Sequence, residues 1–490
     1  MSLREKTVLA VKWNLLATVL SSIFGLISLW LLSHLLTTQD YGIISAALII
    51  STFITVLLDF GISNSIIRSK ELEKIELSSL YVINIALGVI ACLIALIFSQ
   101  QIAGLFKADD MLATQIKIMS IGFVISSFGL QAKALLTREM NFGAIAKITI
   151  ASTFINFVSV VLLAWIYRSP WCIALAFLIS ATANTFLSTY AARPLRTYDL
   201  QFRSSAVKKH FRYGIQLVID SMINQISINT YPVLMSRLIS LSAIGGYNIA
   251  YSISIGLFEK LNPVLSHTLF PALAKIGGDD TKLRLALLKI TTYSAMINFP
   301  MLLGMMIIAP SLVDVFFDAK WQFIVPIVQV LCAAGAIRSL DTPVISLLLV
   351  KAQMYRNLYL GVAKLIVGIP LTWLLGYKAG LIGIVYGFLI IQVMNAICGY
   401  FFLLRPSIGV KGIDYLKSIL IPSFHVAPMV LGGWVARYYF TPFSEILSMI
   451  AVASTCVLIY ITTIYFSPAN VIREFKELVT SNLIRKITKQ

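Results

Sequence analysis

Apolar runs long enough to cross a bilayer recur along the whole sequence of 490 residues. A helix needs about 20 apolar residues to span the hydrocarbon core. Hydrophobic residues make up 58% of the chain and charged residues only 12%, about half the charge of a typical soluble domain. Because lipid offers no partners to the backbone, such runs must satisfy their hydrogen bonds internally as helices. The sequence therefore predicts an all-α integral membrane protein.

Fourteen segments fit transmembrane helices, six in each half of the chain and two more at the C-terminal end. They are 13–36, 41–63, 77–98, 113–136, 145–167, 171–191, 213–238, 247–270, 290–309, 322–350, 358–376, 381–404, 418–439 and 445–466. The run after Trp13 is of full length and lacks a small-residue cleavage site, so we expect no cleaved signal peptide.

The distribution of lysine and arginine predicts the orientation. With a cytoplasmic N-terminus, 30 of the 39 cations fall on the cytoplasmic side and 7 on the other, while Lys260 and Arg338 lie within the membrane. This bias follows the positive-inside rule and places both termini in the cytoplasm. It also accounts for the net charge of +18, so no nucleic-acid partner is expected. We expect the basic connector 193–212 either to contact anionic membrane lipids on the cytoplasmic side or to guide an anionic substrate headgroup toward the entrance.

No pattern of catalytic or metal-binding residues stands out. The sequence contains no HExxH, GxSxG or Walker A motif in a suitable setting, and the four histidines lack ligand spacing. The five cysteines lie in or beside apolar spans without CxxC spacing. We therefore expect neither enzymatic activity nor a cofactor. A membrane-bound glycan polymerase or ligase is disfavoured because the longest loop has only about twenty residues and is basic.

The two halves of the chain carry matching residues in two sets, three pairs that are 203 residues apart and two pairs that are 213 residues apart. The matched pairs are His34 with Arg237, Gly42 with Gly245, Asp59 with Asn262, Gly122 with Gly335, and Arg138 with Lys351. These pairs place six helices on six, and because six is even both halves have the same orientation in the membrane. Such a parallel repeat is typical of transporters that work by alternating access.

The repeat predicts three regions. Residues 1–205 form one six-helix lobe and residues 206–406 form a second, and the two lobes enclose a central cavity. Residues 407–490 add two helices and an amphipathic cytoplasmic tail.

Several motifs together resemble the polysaccharide-exporter family of lipid-linked oligosaccharide flippases, which shares a superfamily with the multidrug and toxin extruders. They are Asp40-Tyr-Gly42, Asp59-Phe-Gly-Ile-Ser-Asn64, Ala134-Leu-Leu-Thr-Arg-Glu-Met-Asn-Phe142, Leu269-Phe-Pro-Ala-Leu-Ala-Lys275 with Gly278-Asp279, and Gly335-Ala-Ile-Arg-Ser-Leu340 with Leu347-Leu-Leu-Val-Lys351. The likeness covers spans one to twelve and is nearest to the colanic-acid and teichuronic-acid exporters. The chain differs from the common pattern at His34, where arginine is expected.

The resemblance implies a substrate and a setting. The substrate is an undecaprenyl-diphosphate-linked sugar repeat unit, which moves from the cytoplasmic to the periplasmic leaflet of a bacterial inner membrane. The product would enter exopolysaccharide or O-antigen-type assembly, where a polysaccharide polymerase and chain-length machinery are possible partners. H⁺ or Na⁺ is a possible coupling ion.

Charged residues within predicted spans mark the candidate site, because each costs roughly 2.5–3.5 kcal/mol at mid-membrane unless it faces a cavity or a partner. Lys260 and Arg338 are candidate cations for the lipid diphosphate, and Glu259 and Asp341 are candidates for ion coupling. Salt bridges between these carboxylates and these cations are an equally open interpretation.

Four further residues complete the candidate set. Arg237 and His34 lie at matching non-cytoplasmic helix ends, where they ring the exit or extend toward the membrane surface. Asp59 either couples to an ion or caps and bridges helices, and Arg138 belongs to a cytoplasmic gate or loop. An ion-coupled drug antiporter of the same superfamily is the alternative function, although its cavity would favour acidic residues.

Overall fold

The computed structural model describes residues 3–69, 73–108, 110–195, 201–256, 258–259, 276, 279–351, 353–440, 443–468 and 471–474. The chain divides into two compact units, Met1–Ile249 and Ala250–Gln490. Lys260, Asn262 and the 269–275 motif lie outside the described residues. The lobe boundaries near 205 and 406 stay a prediction.

The first unit is built from nine helices within its described residues, and a tenth begins in it. They are α1 (Leu3–Leu35), α2 (Thr38–Asp59), α3 (Ile62–Arg68), α4 (Lys74–Ile97), α5 (Ser99–Leu105), α6 (Asp110–Arg138), α7 (Phe142–Tyr167), α8 (Trp171–Ala191), α9 (Ser204–Leu238) and α10 (Leu241–Ile253). A short 3₁₀ turn, Arg193–Leu195, follows α8. Helix α9 packs against α2, α3 and α4.

Seven further helices follow in the described part of the second unit. They are α11 (Asp280–Phe316), α12 (Val325–Arg338), α13 (Asp341–Val350), α14 (Met354–Gly399), α15 (Arg405–Ile408), α16 (Gly412–Phe440) and α17 (Glu445–Tyr465). A 3₁₀ segment, Ala319–Ile324, precedes α12, and a π-helical turn, Tyr400–Leu404, joins α14 to α15.

Eleven segments of the described chain are long and apolar enough to cross a membrane, so the prediction of an all-α membrane protein is confirmed. One of them, Met354–Ile408, contains both the eleventh and the twelfth predicted span. The two spans are separated within α14 by non-helical backbone at Ala379 and Gly380. The predicted seventh span lies within α9, and the eighth is described only in part. The count of fourteen stays a prediction.

Two motifs of the first unit form the ends of helices. Thr37 and Asp40 form a reciprocal capping box at the start of α2, with Thr37 Oγ1 accepting from the Asp40 N–H at 3.1 Å. At the other end, Phe60 and Gly61 take positive φ angles of 42° and 71° and turn the chain into α3. Asp59 then accepts hydrogen bonds from the backbone N–H and the hydroxyl of Ser63, which caps the first turn of α3.

The motif at 134–142 forms a turn between two long helices. Arg138 ends α6, and Met140 takes a positive φ of 55°. Asn141 caps α7, its side-chain oxygen accepting from the Ala144 N–H at 3.2 Å. Arg138 itself is half-buried. A gating role for Arg138 stays a prediction.

Candidate functional site

A triangle of polar groups holds Arg338 in the second unit. Arg338 Nη2 lies 2.7 Å from Glu259 Oε1, and Arg338 Nη1 donates to the Tyr251 hydroxyl oxygen at 3.3 Å. The Tyr251 hydroxyl in turn donates to Glu259 Oε1 at 2.9 Å. About a quarter of the Arg338 side chain (23%) and 36% of the Glu259 side chain remain accessible. The ion pair is therefore partly accessible, and a ligand could reach both side chains.

A break in the membrane-spanning segment Ala319–Val350 positions this arginine. Helix α12 ends at Arg338 and α13 begins at Asp341. Pro343 lacks the N–H that would bond to the Ser339 carbonyl, and its ring crowds that carbonyl, which favours a break at this point. The Arg338 cation thus lies at the negative end of one helix dipole and the Asp341 anion at the positive end of the next.

A second polar pair lies beyond the break. Asn395 Nδ2 in α14 donates to Asp341 Oδ2 at 2.6 Å, and only 5% of Asn395 is exposed. Lys364, also in α14, lies close enough to Asp341 and Arg338 for their charges to interact. Arg338, Glu259, Tyr251, Asp341, Asn395 and Lys364 together are called the Arg338 cluster below.

Lys364 is a member of this cluster that the sequence analysis did not single out, because it was counted with the cytoplasmic cations near the start of the predicted span 358–376. It lies ten residues after the start of α14, inside a membrane-spanning helix. Helix α13 ends at Val350 and α14 begins at Met354, so Asp341 and Lys364 lie nine and ten residues from these helix ends. Each is therefore about 14–15 Å from the helix end along its axis. Counting outward from the turn would have placed these two charges at one level.

The open choice between salt bridge and free cation is partly resolved. Arg338 pairs with Glu259, one of the combinations that the sequence allowed. The contacts of Lys260 lie outside the described residues. Substrate binding by Arg338 and Lys260, and ion coupling by Glu259 and Asp341, stay predictions.

The matched helix ends of the two repeats meet within the first unit. A Cβ added to Gly42 would approach the Leu241 carbonyl oxygen to 2.1 Å, and one added to Gly245 would lie 2.9 Å from the Gly42 nitrogen. The backbones of α2 and α10 are thus in direct contact at two glycines that the repeat makes equivalent. Only glycine allows so close an approach. Asn248 reinforces the contact by donating to Ser45 Oγ at 3.0 Å.

His34 and Arg237 lie in the last turns of α1 and α9, the helices that precede α2 and α10 along the chain. His34 is exposed, with its Nδ1 2.9 Å from the Trp30 carbonyl oxygen. Arg237 is exposed in the last turn of α9, and its carbonyl accepts from Lys107 Nζ at 2.7 Å. That bond places the Lys107 ammonium at the end of α9, close to Arg237. A role at the exit for His34 and Arg237 stays a prediction.

A polar cavity of about 380 Å³ lies between α2, α3 and α9 in the first unit. Its described lining is Ser51, Thr52, Thr55, Val56, Asp59, Gly61, Asn64, Val218, Ser221 and Gln225. Seven of these side chains carry a hydroxyl, an amide or a carboxylate, and Asp59 is the one charged group among them. We refer to this space as the Asp59 cavity.

Two carboxylates outside the membrane-spanning segments have lowered pKa values. Hydrogen bonds, above all from the Lys282 backbone N–H, hold the pKa of Asp279 below its usual value at the cap of α11. Glu474 accepts from Lys289 Nζ at 2.7 Å and from the Tyr293 hydroxyl at 3.2 Å. The bond from Lys289 is the main cause of its lowered pKa. These contacts attach the described end of the tail to α11.

Comparison of the sequence with known proteins identifies the family of this chain. Residues 31–326 match the family described as "Polysaccharide biosynthesis protein". The lipopolysaccharide biosynthesis protein WzxC of Escherichia coli (strain K12) is 34% identical over 88% of this chain and 87% of its own.

Solved structures show the same fold. The lipid II flippase MurJ in its inward closed conformation aligns with a TM-score of 0.72, at 16% identity, over 96% of this chain and 99% of its own. An inward-facing multidrug resistance MATE transporter aligns with a TM-score of 0.64, at 14% identity, over 83% of this chain and 94% of its own. Such low identities establish the fold and nothing finer. The family resemblance predicted from the motifs is confirmed, and the chain belongs to the polysaccharide biosynthesis protein family of membrane exporters.

Proposed function

We propose that this protein flips a lipid-linked oligosaccharide across a bacterial inner membrane by alternating access. The substrate is an undecaprenyl-diphosphate-linked repeat unit, and it moves from the cytoplasmic to the periplasmic leaflet. A polysaccharide polymerase and its chain-length machinery then use the product. Family membership supports the substrate class, and the likeness to a lipid II flippase supports a fold able to perform this movement.

The observation that carries the proposal is the accessible Arg338 guanidinium in a membrane-spanning segment. A diphosphate entering a site of low dielectric constant needs a cation there, and a guanidinium matches phosphate oxygens with paired N–H donors. When substrate is absent, Glu259 forms an ion pair with this guanidinium. Binding is therefore an exchange in which the diphosphate replaces the carboxylate beside Arg338.

The same exchange suggests how an ion changes the rate of the cycle. Protonating Glu259, or neutralising it with Na⁺, weakens its attraction for Arg338 and frees the guanidinium for the diphosphate. Ion binding and substrate binding then favour the same state, so the two are linked and flipping responds to the ion concentration on each side of the membrane. Lys260 is a second candidate cation for the same headgroup.

Glu259→Gln tests the coupling step. The amide keeps the shape of the side chain and can still accept from Tyr251, but it no longer titrates. We expect flipping to continue at a rate that no longer responds to a proton or sodium gradient. Full gradient dependence in the Gln variant would contradict the assignment of Glu259.

The proposed function is tested with purified full-length protein in liposomes. The probe is an NBD-labelled undecaprenyl-diphosphate-linked repeat unit, extracted from the producing strain lacking this gene. Impermeant dithionite bleaches only the outer leaflet, so flipping raises the bleached fraction from about half to nearly all. Equal bleaching with and without protein, over a range of imposed gradients, would overturn the proposal.

A drug antiporter remains the competing function because a MATE transporter shares the fold. An antiporter for cationic drugs needs carboxylates available to the drug. Here Glu259 is paired with Arg338, and Asp341 is bonded to Asn395 beside Lys364. Cells that express the protein should therefore gain no resistance to cationic drugs. Gradient-driven efflux of ethidium from such cells would favour the antiporter.

A further inference from the structure

The Asp59 cavity has the wrong size and lining for an ion or a phosphate. Its volume of about 380 Å³ is roughly ten times that of one water molecule, and it falls within the range of small-molecule pockets. A cation site would instead draw several oxygens to within about 2.6 Å of one point. No lysine, arginine or histidine occurs among the described lining residues, so this part of the wall offers nothing to an anion.

The lining offers directed hydrogen-bond acceptors. The hydroxyls of Thr52 and Thr55 donate to the carbonyls of Ile49 and Ser51 at 2.7 and 2.8 Å, which leaves their oxygens as acceptors toward a ligand. Asp59 Oδ1 takes both bonds from Ser63, and within the described chain Oδ2 is the carboxylate oxygen left for a ligand. These acceptors suit a ligand rich in hydroxyl groups.

The opposite wall supplies donors. Asn229 Nδ2 donates to Gln225 Oε1 at 3.2 Å, which fixes the oxygen of that amide and leaves its NH₂ group for a ligand. Asn64 adds a second amide and Ser221 a hydroxyl. Donors on α3 and α9 therefore face acceptors on α2 across one cavity, as recognition of a polyol requires.

We propose that the Asp59 cavity is a subsite for an uncharged sugar ring of the lipid-linked oligosaccharide. The inference rests on the proposed function and adds where the glycan is recognised. Asp59 lies at the end of α2 that the charge distribution predicts to face the cytoplasm, the side on which the substrate is supplied. The ring hydroxyls donate to Asp59, Thr52 and Thr55 and accept from Gln225.

Two lipid probes separate sugar recognition from headgroup recognition. The first is the undecaprenyl-diphosphate-linked repeat unit, and the second is undecaprenyl diphosphate without sugar. Binding of each to the full-length protein in nanodiscs is measured by microscale thermophoresis. We expect Asp59→Asn to weaken binding of the first probe by about tenfold, through the lost charge-assisted hydrogen bonds, and to leave binding of the second unchanged.

Control variants separate recognition from folding. An asparagine at position 59 can still cap α3. Ser63→Ala removes the hydroxyl bond to Asp59, keeps the bond from the backbone N–H of residue 63, and leaves the described lining unchanged. We expect Ser63→Ala to bind both probes normally. Ser221→Phe, which fills the cavity, should repeat the selective loss.

The outcomes are distinct from those that test the proposed function. If the wild-type protein binds neither probe, the proposed function itself fails. If the wild-type protein binds both probes but Asp59→Asn and Ser221→Phe weaken both equally, or weaken neither, the sugar subsite is overturned. The subsite is also overturned if Ser63→Ala causes the same selective loss, since the effect would then come from the cap.

Discussion

The Asp59 cavity and the Arg338 cluster both use carboxylates, but they give them different partners. Asp59 is held by the neutral N–H and hydroxyl of Ser63. Glu259 is held by a guanidinium, and Asp341 by an amide beside a lysine. The Asp59 cavity therefore offers a carboxylate oxygen that can accept from uncharged hydroxyls. The Arg338 cluster offers cations whose attraction for an anionic ligand is weakened by the neighbouring carboxylates. Neighbouring groups, more than residue type, decide which ligand chemistry each region suits.

The largest effect that this comparison predicts comes from Arg338→Ala. Losing the guanidinium removes the cation for the diphosphate and leaves Glu259 without its partner, a kind of loss that costs about 3–5 kcal/mol when the pair is buried. The pair here is partly accessible, so we expect flipping to fall by about a hundredfold, equivalent to roughly 2.7 kcal/mol. Binding of both lipid probes should fall together, in contrast to the selective loss expected for Asp59→Asn.

A matched control for Arg338→Ala is Arg437→Ala. Arg437 stacks over the Trp434 ring at 5.4 Å in α16, a helix that carries none of the residues of the Arg338 cluster. We expect it to flip at the wild-type rate with an unchanged protein level in the membrane. If Arg338→Ala lost only the sugar-linked probe and kept undecaprenyl diphosphate, the contrast between the two regions would be reversed.

Lys364→Met sharpens the description of the Arg338 cluster. The half-buried Asp341 loses a nearby cation and keeps the Asn395 amide and the charge interaction with Arg338. We expect the apparent melting temperature to fall by a few degrees and flipping to fall by several fold. Adding Asp341→Asn should restore most of both, because it removes the charge that Lys364 compensates.

The double variant decides between two roles for Lys364. Recovery of stability together with flipping assigns Lys364 to the internal balance of charge. Recovery of stability without flipping would instead make Lys364 a cation that meets the diphosphate. The Arg338 cluster would then hold two cations that bind the diphosphate, Arg338 and Lys364. Flipping and thermal denaturation are measured on the same preparations in detergent and in liposomes.

The sequence predicts the helices well because each span must be apolar along its whole length. It also identified Arg338, Glu259 and Asp341, since a charge within such a run is conspicuous. The pairing could not be predicted, because Tyr251 and Glu259 reach Arg338 from a different helical segment. Lys364 was not singled out for a related reason. Counting cations by loop assigns a lysine to the nearest turn, although its side chain interacts with a group on the neighbouring helix.

The motifs that suggested the family have structural explanations that the sequence only partly supplied. Asp40 was predicted as part of a family signature, and it closes the capping box of α2. Gly42 was predicted from the repeat, and its contact with Leu241 explains why the position is glycine. Asp59 was expected either to cap a helix or to bind an ion, and its contact with Ser63 shows that it caps α3. The cavity beside Asp59 is formed by residues of three helices, one of which, α9, is far from the other two in the sequence, so no sequence motif indicates it.

The smallest effect is expected for Glu474→Gln, which tests whether charge in the second unit matters outside the cluster. Glu474 is exposed, and its ion pair with Lys289 is open to water at both ends, 47% and 48% accessible. Its pKa is lowered, so the pair stabilises the folded state above the usual carboxyl pKa and loses this effect as the pH falls through the lowered value. Exposed pairs contribute little and are screened by salt.

We therefore expect Glu474→Gln to flip at the wild-type rate and to melt about one degree lower at neutral pH and low salt. The difference should fade as the pH falls through the lowered pKa of Glu474, and also at about 1 M salt, where the screening length is near 3 Å. Thermal denaturation across pH and salt measures both. A large loss of flipping in this variant would mean that attachment of the tail to α11 is part of the transport cycle. Charge recognition in the second unit would then extend beyond the Arg338 cluster.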